Sequence, residues 1–155
     1  MKKQFLLLFT GALLISACRN GQVAPTSETT DSSKARLERN KAVVLASQRA
    51  IAAGDVDAVF KDMAPGYVDH MDGTGTPLKD MDSIKSALRE TIDAFGIKGS
   101  DLRAVAEGDT VVVAGKWRGT FNKAFMGVPA NGKSYEFNDT QIFVLYGEGK
   151  IHSHR

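Results

Sequence analysis

The sequence predicts an α+β domain in which about three N-terminal helices pack on one face of a curved antiparallel sheet, leaving a cone with an open mouth. Three observations carry this. Apolar residues recur at helical period between residues 35 and 95. From residue 102 onward the chain turns to β-branched and aromatic runs broken by glycine-containing turns. Helices therefore come first and strands afterwards, the order of an α+β fold and not of alternating βαβ units.

Ala35 to Ala53 is alanine-rich, with Leu37, Val44 and Ile51 seven residues apart and Leu45 and Ala52 beside them, which makes one apolar stripe on a helix. Gly54 suits its C-terminal cap, and Asp55 can cap the next helix at once. In that short second helix Val56, Val59, Phe60 and Met63 fall at i, i+3, i+4 and i+7, and Pro65-Gly66 reads as its stop. Tyr67 to His70 is a short extended piece, and Met71 to Leu78 is a Gly/Thr/Pro loop. A third helix, capped by Asp82 or Ser83, places Ile84, Ala87, Leu88, Thr91, Ile92 and Phe95 on one face before Gly96. Strands are predicted at 102–106, 110–121 and 135–146, and the Gly147-Glu148-Gly149 turn leads into a last strand at 151–155.

At 155 residues the chain has room for one domain with one core. Its net charge of +2 owes itself to Lys2 and Lys3; without them 18 basic residues face 18 acidic ones. A near-neutral domain lacks the clustered Lys and Arg of a nucleic-acid footprint. The single cysteine, Cys18, allows no intrachain disulfide and no cysteine-based zinc site. Met1-Lys2-Lys3 is a positive n-region, Phe5 to Ile15 an apolar h-region too short to span a membrane, and Ser16-Ala17 supplies small residues before a cleavage point. Leu14-Ile15-Ser16-Ala17-Cys18 resembles the lipobox of bacterial lipoproteins. That resemblance implies a signal peptide over 1–17, a lipidated Cys18 as first mature residue, and a membrane-tethered protein of the cell envelope. Arg19 follows, not Asp, so inner-membrane retention is not signalled. Residues 18–34, rich in Ser, Thr, Gly and Pro, read as a flexible tether, and the domain is assigned to 35–155.

The stretch from Gly108 to Ile151 organises the rest. Two β-rich runs flank a Gly/Pro/Asn loop at 122–134, and the second run carries polar residues inside an apolar strand, as a sheet lining a ligand cavity requires. Residues of one parity share a face, so Tyr135, Phe137, Asp139, Gln141 and Phe143 project together. The aromatics point that set inward.

"AGDVDAVFKDMAPGYVDH", "GDTVVVAGKWRGTF", "GVPANGK" and "GEGKIHSH" resemble, in order and spacing, blocks of SnoaL-like proteins of the nuclear transport factor 2-like superfamily. The resemblance implies the cone fold, a small-molecule ligand, no cofactor and, through the sheet, a possible homodimer. Fold alone does not deliver chemistry in this superfamily. The cyclases of the family close a ring by aldol condensation, which needs a carboxylate base and a donor to an enolate. Where they commonly place a histidine this chain has Phe121, and where they place an aspartate before Ile-Phe it has Gln141.

Asp139 could compensate: a carboxylate among Phe137, Phe143 and Trp117 would be desolvated, with its pKa raised toward that of a usable base. His70 matches a histidine position frequent in the family near the cavity mouth and could shuttle a proton. Asp69 beside it points the other way in an extended segment and reads as a surface or capping residue. His152 and His154 alternate along the last strand, so both should face one side; His154 matches the histidine of a Glu-His-Trp ending in the family. No metal site is expected. Tyr67, Trp117, Phe121, Phe137, Phe143 and His154 are the candidate ligand-contacting residues. Two readings result. One is a lipid-anchored domain that holds a small apolar or carbonyl-bearing ligand without turnover. The other is a cyclase- or isomerase-type enzyme with Asp139 as base and His70 or Gln141 polarising a carbonyl.

Overall fold

A computed structural model of the chain describes residues 27–70 and 76–155. The predicted leader, Cys18, the first part of the predicted tether and residues 71–75 of the predicted loop lie outside the described residues.

Helix α1 runs Ser27–Ala53, so Ser27 to Lys34, assigned to the tether on composition, is helical. Once a helix is nucleated, each added residue gains a hydrogen bond, and polar residues extend it with their side chains in water. Asp31 to Ala35 are exposed accordingly. Asn40, Val44, Ser47, Gln48 and Ala50 form its buried side. Helix α2, Val56–Phe60, is capped by Asp55, whose carboxylate accepts from the Ala58 N–H at 3.0 Å.

Met63 does not continue that helix. It opens strand β1, Met63–Asp69. Proline cannot donate to a ladder, but β1 is an edge strand, where proline is tolerated, and Gly66 at φ +78° lies within an irregularity between Met63 and Val68. Pro65-Gly66 is therefore a bulge in an edge strand and not a helix stop. Helix α3, Met81–Phe95, is capped by Asp80, which accepts from the Ser83 N–H at 2.8 Å, and ends on left-handed Gly96. The remaining strands are β2 (Lys98–Glu107), β3 (Thr110–Thr120), β4 (Ser134–Tyr146) and β5 (Lys150–His154).

The sheet order is β1-β5-β4-β3-β2. β2 to β5 are antiparallel neighbours, as hairpin connections dictate, but β1 pairs parallel with β5. The sheet is thus mixed where an antiparallel one was expected. A parallel pair needs a long crossover, and everything from α3 to β4 supplies it. The core lies between the helices and one sheet face: Val44, Tyr67, Ile84, Val111, Val113, Phe143, Leu145 and Ile151 are all buried. Each large apolar side chain there contributes about 1.5–3 kcal/mol.

One glycine decides how the sheet closes against α3. A Cβ at Gly119 would collide with the Phe95 carbonyl and the Tyr135 hydroxyl. Its absence lets Tyr135 Oη donate to the Phe95 carbonyl at 3.1 Å, tying the end of α3 to the β3–β4 hairpin.

Candidate functional site

Between the three helices and the inner sheet face lies a cavity of about 240 Å³. That is roughly eight water volumes at ~30 Å³ each, below the ~300–1,000 Å³ of ordinary ligand pockets. Ile51, Val59, Phe60, Ile84, Leu88 and Trp117 make most of it apolar, and a few polar side chains converge on it from five elements. α1 brings Ser47 and Gln48; β1 brings Tyr67 and Asp69; α3 brings Thr91; β4 brings Asp139 and Gln141; β5 brings His154.

The strand alternation of β4 turns Phe137, Asp139, Gln141 and Phe143 to this side together. Along β1 the same rule puts Asp69 with Tyr67. Asp69 is paired in register with His154 on β5, and His154 with Phe143 on β4, so the three stand in one row across the sheet.

That row holds a polar chain. Tyr67 Oη donates to Asp69 Oδ2 at 3.3 Å, and Asp69 Oδ1 lies 3.3 Å from His154 Nδ1. The two side chains are only 15% and 21% exposed, and the imidazole stacks on Phe143 with centroids 4.8 Å apart. An ionised Asp69 can only accept, so the ring nitrogen that faces it, Nδ1, carries a proton and donates. Nε2 is buried and has no hydrogen-bond partner. Burial, then the neighbouring Asp69 carboxylate, pushes the Tyr67 phenol far above its ordinary value, so it stays protonated and donates.

A second pair stands nearer the rim. Gln141 Nε2 donates to Asp139 Oδ2 at 2.6 Å, and the Thr140 N–H reaches Asp139 Oδ1 at 2.9 Å. Asp139 is half-buried, beside a Phe137 that is half exposed. Its carboxylate therefore holds Gln141 in place and is not enclosed by aromatics. Because the amide nitrogen faces a carboxylate, the Gln141 atom left buried without a partner is Oε1, which accepts hydrogen bonds and cannot polarise a carbonyl.

The remaining sequence candidates fall outside the cavity or at its edge. His70 is not in the lining; its backbone N–H donates to the His154 carbonyl at 2.9 Å, continuing the β1–β5 pairing. Phe121 is not in the lining either. It stacks on Phe95 at 4.8 Å, part of an aromatic group with Phe125 and Tyr135. His152 and His154 do not share a side, because the ladder slips between Val144 and Leu145. His154 lines the cavity while His152 packs against Tyr146.

Ser47, Gln48, Asp69 and Thr91 are the polar lining residues that were not among the sequence candidates. Asp69 was legible: Tyr67, taken as inward, is two residues away on the same strand. Gln48 carried no signal, being a polar residue in an otherwise ordinary helix. Among the described residues no group of three or more His, Cys, Asp and Glu is arranged to hold a metal ion, and no helix is long and apolar enough to cross a membrane.

The sequence model of the SnoaL-like polyketide cyclase family matches residues 41–155, and the chain belongs to that family. Solved structures of the same fold include a provisionally assigned polyketide cyclase from Xanthomonas campestris, 22% identical with a TM-score of 0.69 over 76% of this chain and 87% of that one. IdmH from Streptomyces antibioticus, also provisionally a polyketide cyclase, is 26% identical with a TM-score of 0.62 over 74% and 88%. An LEH-like epoxide hydrolase from M. tuberculosis is 16% identical, with a TM-score of 0.60 over 77% and 82%. No curated protein matches the chain.

Proposed function

We propose that this protein is a SnoaL-like domain, carried on the bacterial cell envelope by lipid on Cys18, whose cavity holds one small, largely apolar molecule. The observation that carries the reading is the cavity itself: about 240 Å³, apolar in most of its lining, with buried polar atoms of Gln48, Gln141 and His154 that the protein leaves unpartnered. Buried polar groups ordinarily find partners, and a bound molecule is a natural one. Phe121 and Gln141, at positions where the family's cyclases resemble acid–base catalysts, favour holding a ligand over ring closure. Native mass spectrometry of the protein purified from membranes tests this. A retained small mass, together with a lipid-modified Cys18, is expected; an unliganded, unlipidated chain contradicts it.

A second reading, proton transfer, is favoured by the Asp69–His154 pair. A carboxylate at Nδ1 orients the ring and makes Nε2 the nitrogen available to act as general base, with Asp69 as a positioning residue. Asp139, with both oxygens engaged, positions Gln141 and is not the base. If this reading holds, His154→Gln abolishes exchange or turnover of the co-purifying molecule while still binding it. Equal rates in His154→Gln and wild type would rule out His154.

A further inference from the structure

Resting on the ligand-holding reading, we infer that Trp117 is the polar anchor of the cavity: its indole N–H donates to an acceptor oxygen on the bound molecule, a ring-sized ketone, ester or ether, and so sets how that molecule is turned. Sequence reasoning places Trp117 among the aromatic contacts and expects the donor at His70 or Gln141. Neither supplies it. His70 is outside the lining, and the Gln141 amide nitrogen is held by Asp139 at 2.6 Å. The hydroxyls of the described lining are committed too: Ser47 Oγ donates to the Val59 carbonyl at 3.0 Å, Thr91 Oγ1 to the Ala87 carbonyl at 2.7 Å, and Tyr67 Oη to Asp69.

Trp117 Nε1 differs from these. An indole nitrogen can only donate, so its character depends on no tautomer and no amide orientation. Among the described residues it has no protein partner, and although Trp117 is only 4% exposed, Nε1 is not one of the buried atoms that neighbours close off. Packing fixes where it stands. Gly99, paired with Trp117 across β2 and β3, leaves the six-membered ring the space a side chain would take: a Cβ there would come 2.8 Å from Cζ3. Gly115, two residues back along β3, likewise puts no side chain beside the nitrogen; a Cβ there would come 3.6 Å from Nε1. The ring is thus seated against the sheet with its N–H uncovered. Gln48 has an unpartnered amide nitrogen as well, but an amide can turn either end to a ligand, so Gln48 adapts where Trp117 selects. A molecule without an acceptor would take water from the indole N–H and return nothing, the mismatch that makes a polar anchor selective.

The test uses the purified full-length protein with cyclohexanone and with methylenecyclohexane, which carries CH2 where the ketone has oxygen. Trp117 is the chain's single tryptophan, so its indole N–H gives one cross-peak in a proton–nitrogen NMR spectrum. Neither probe has an aromatic ring whose current would mimic a hydrogen bond. Cyclohexanone is expected to move the indole proton downfield in a saturable way, and methylenecyclohexane to bind without doing so. Replacing Trp117 by benzothienylalanine, which has sulfur in place of the N–H, should weaken cyclohexanone about fivefold, the effect of about one neutral hydrogen bond, and leave methylenecyclohexane unchanged. Comparing each probe with itself cancels the different cost of drawing the two from water, and the wild-type spectrum decides alone if the replaced protein does not fold. Cyclohexanone that shifts the resonances of the cavity lining but leaves the indole proton unmoved, or a replacement that weakens both probes alike, overturns the inference and leaves the ligand-holding reading standing. Failure of both probes to perturb any lining resonance overturns both.

Discussion

His154 Nδ1 stands 3.3 Å from Asp69 Oδ1 although 85 residues separate the two in the chain. The contact exists because β1, the first strand in chain order among the described residues, lies parallel to β5, the last, with Asp69 and His154 in register. Asp69 also accepts from Tyr67, so one carboxylate anchors two elements of the cavity wall. Asp69→Ala should cost about 2 kcal/mol, the usual scale for leaving buried polar partners unmet. Urea unfolding checks this. A change under about 0.5 kcal/mol would assign Asp69 to the ordinary surface class.

Alkaline pH should reveal the Tyr67 end of the same chain. Its phenol is raised in the folded protein by burial and by Asp69. The folded state therefore keeps a proton that the unfolded state gives up above about pH 10. Stability from this group is complete below that value and falls as pH rises, by up to about 1.4 kcal/mol per pH unit. Tyr135, raised more weakly by burial, adds to the fall in the same direction. Urea titrations at pH 9 and pH 11 should show a smaller loss in Tyr67→Phe than in wild type. Equal losses would contradict the account.

Gln141 and Asp139 touch at 2.6 Å, so the family-like aspartate at position 141 would here meet a carboxylate already in place. Gln141→Asp should create a pair sharing a proton, with one of its two macroscopic steps raised. A raised group stabilises the fold only while protonated, so the variant should lose stability as pH climbs through that step and regain it on acidification. Carboxyl NMR titration would show one slow-to-ionise carboxyl. Two ordinary titrations would mean that the side chains have moved apart.

Gly119→Ala forces a methyl against the Phe95 carbonyl and Tyr135 hydroxyl, both fixed by their mutual hydrogen bond. A loss of about 1–3 kcal/mol is expected from such overpacking. Thermal unfolding measures it, and Tyr135→Phe in the same background should recover part of the loss. No recovery would place the strain at the backbone carbonyl alone.

The local parts of this fold were legible, and the long-range ones were not. The α3 stripe, the Asp55 cap, Gly54 and Gly96 follow from local spacing and turn chemistry, which sequence carries directly. So does the inward set of β4, since alternation is a property of the strand itself. Of the stripe expected on α1, by contrast, only Val44 is fully buried, beside Asn40, Ser47 and Gln48. Besides the parallel β1–β5 pair, three readings went astray where tertiary pairing decides. Pro65-Gly66 looked like a terminator because nothing nearby announces that the next strand is an edge. His152 and His154 were expected on one side because the bulge that leaves His152 unpaired against β4 is set by cross-strand pairing and carries no local signal. Asp69 was set aside as a surface residue because its partner lies at the far end of the chain.

The most direct test of a ligand-holding cavity is a fluorescence titration of Trp117 with cyclohexanol in wild type and in Ala87→Phe, which places a ring in the cavity. The account predicts a saturable change in wild type that disappears in the filled variant while the fold is retained by circular dichroism. No change in wild type, or the same change in both proteins, would contradict it.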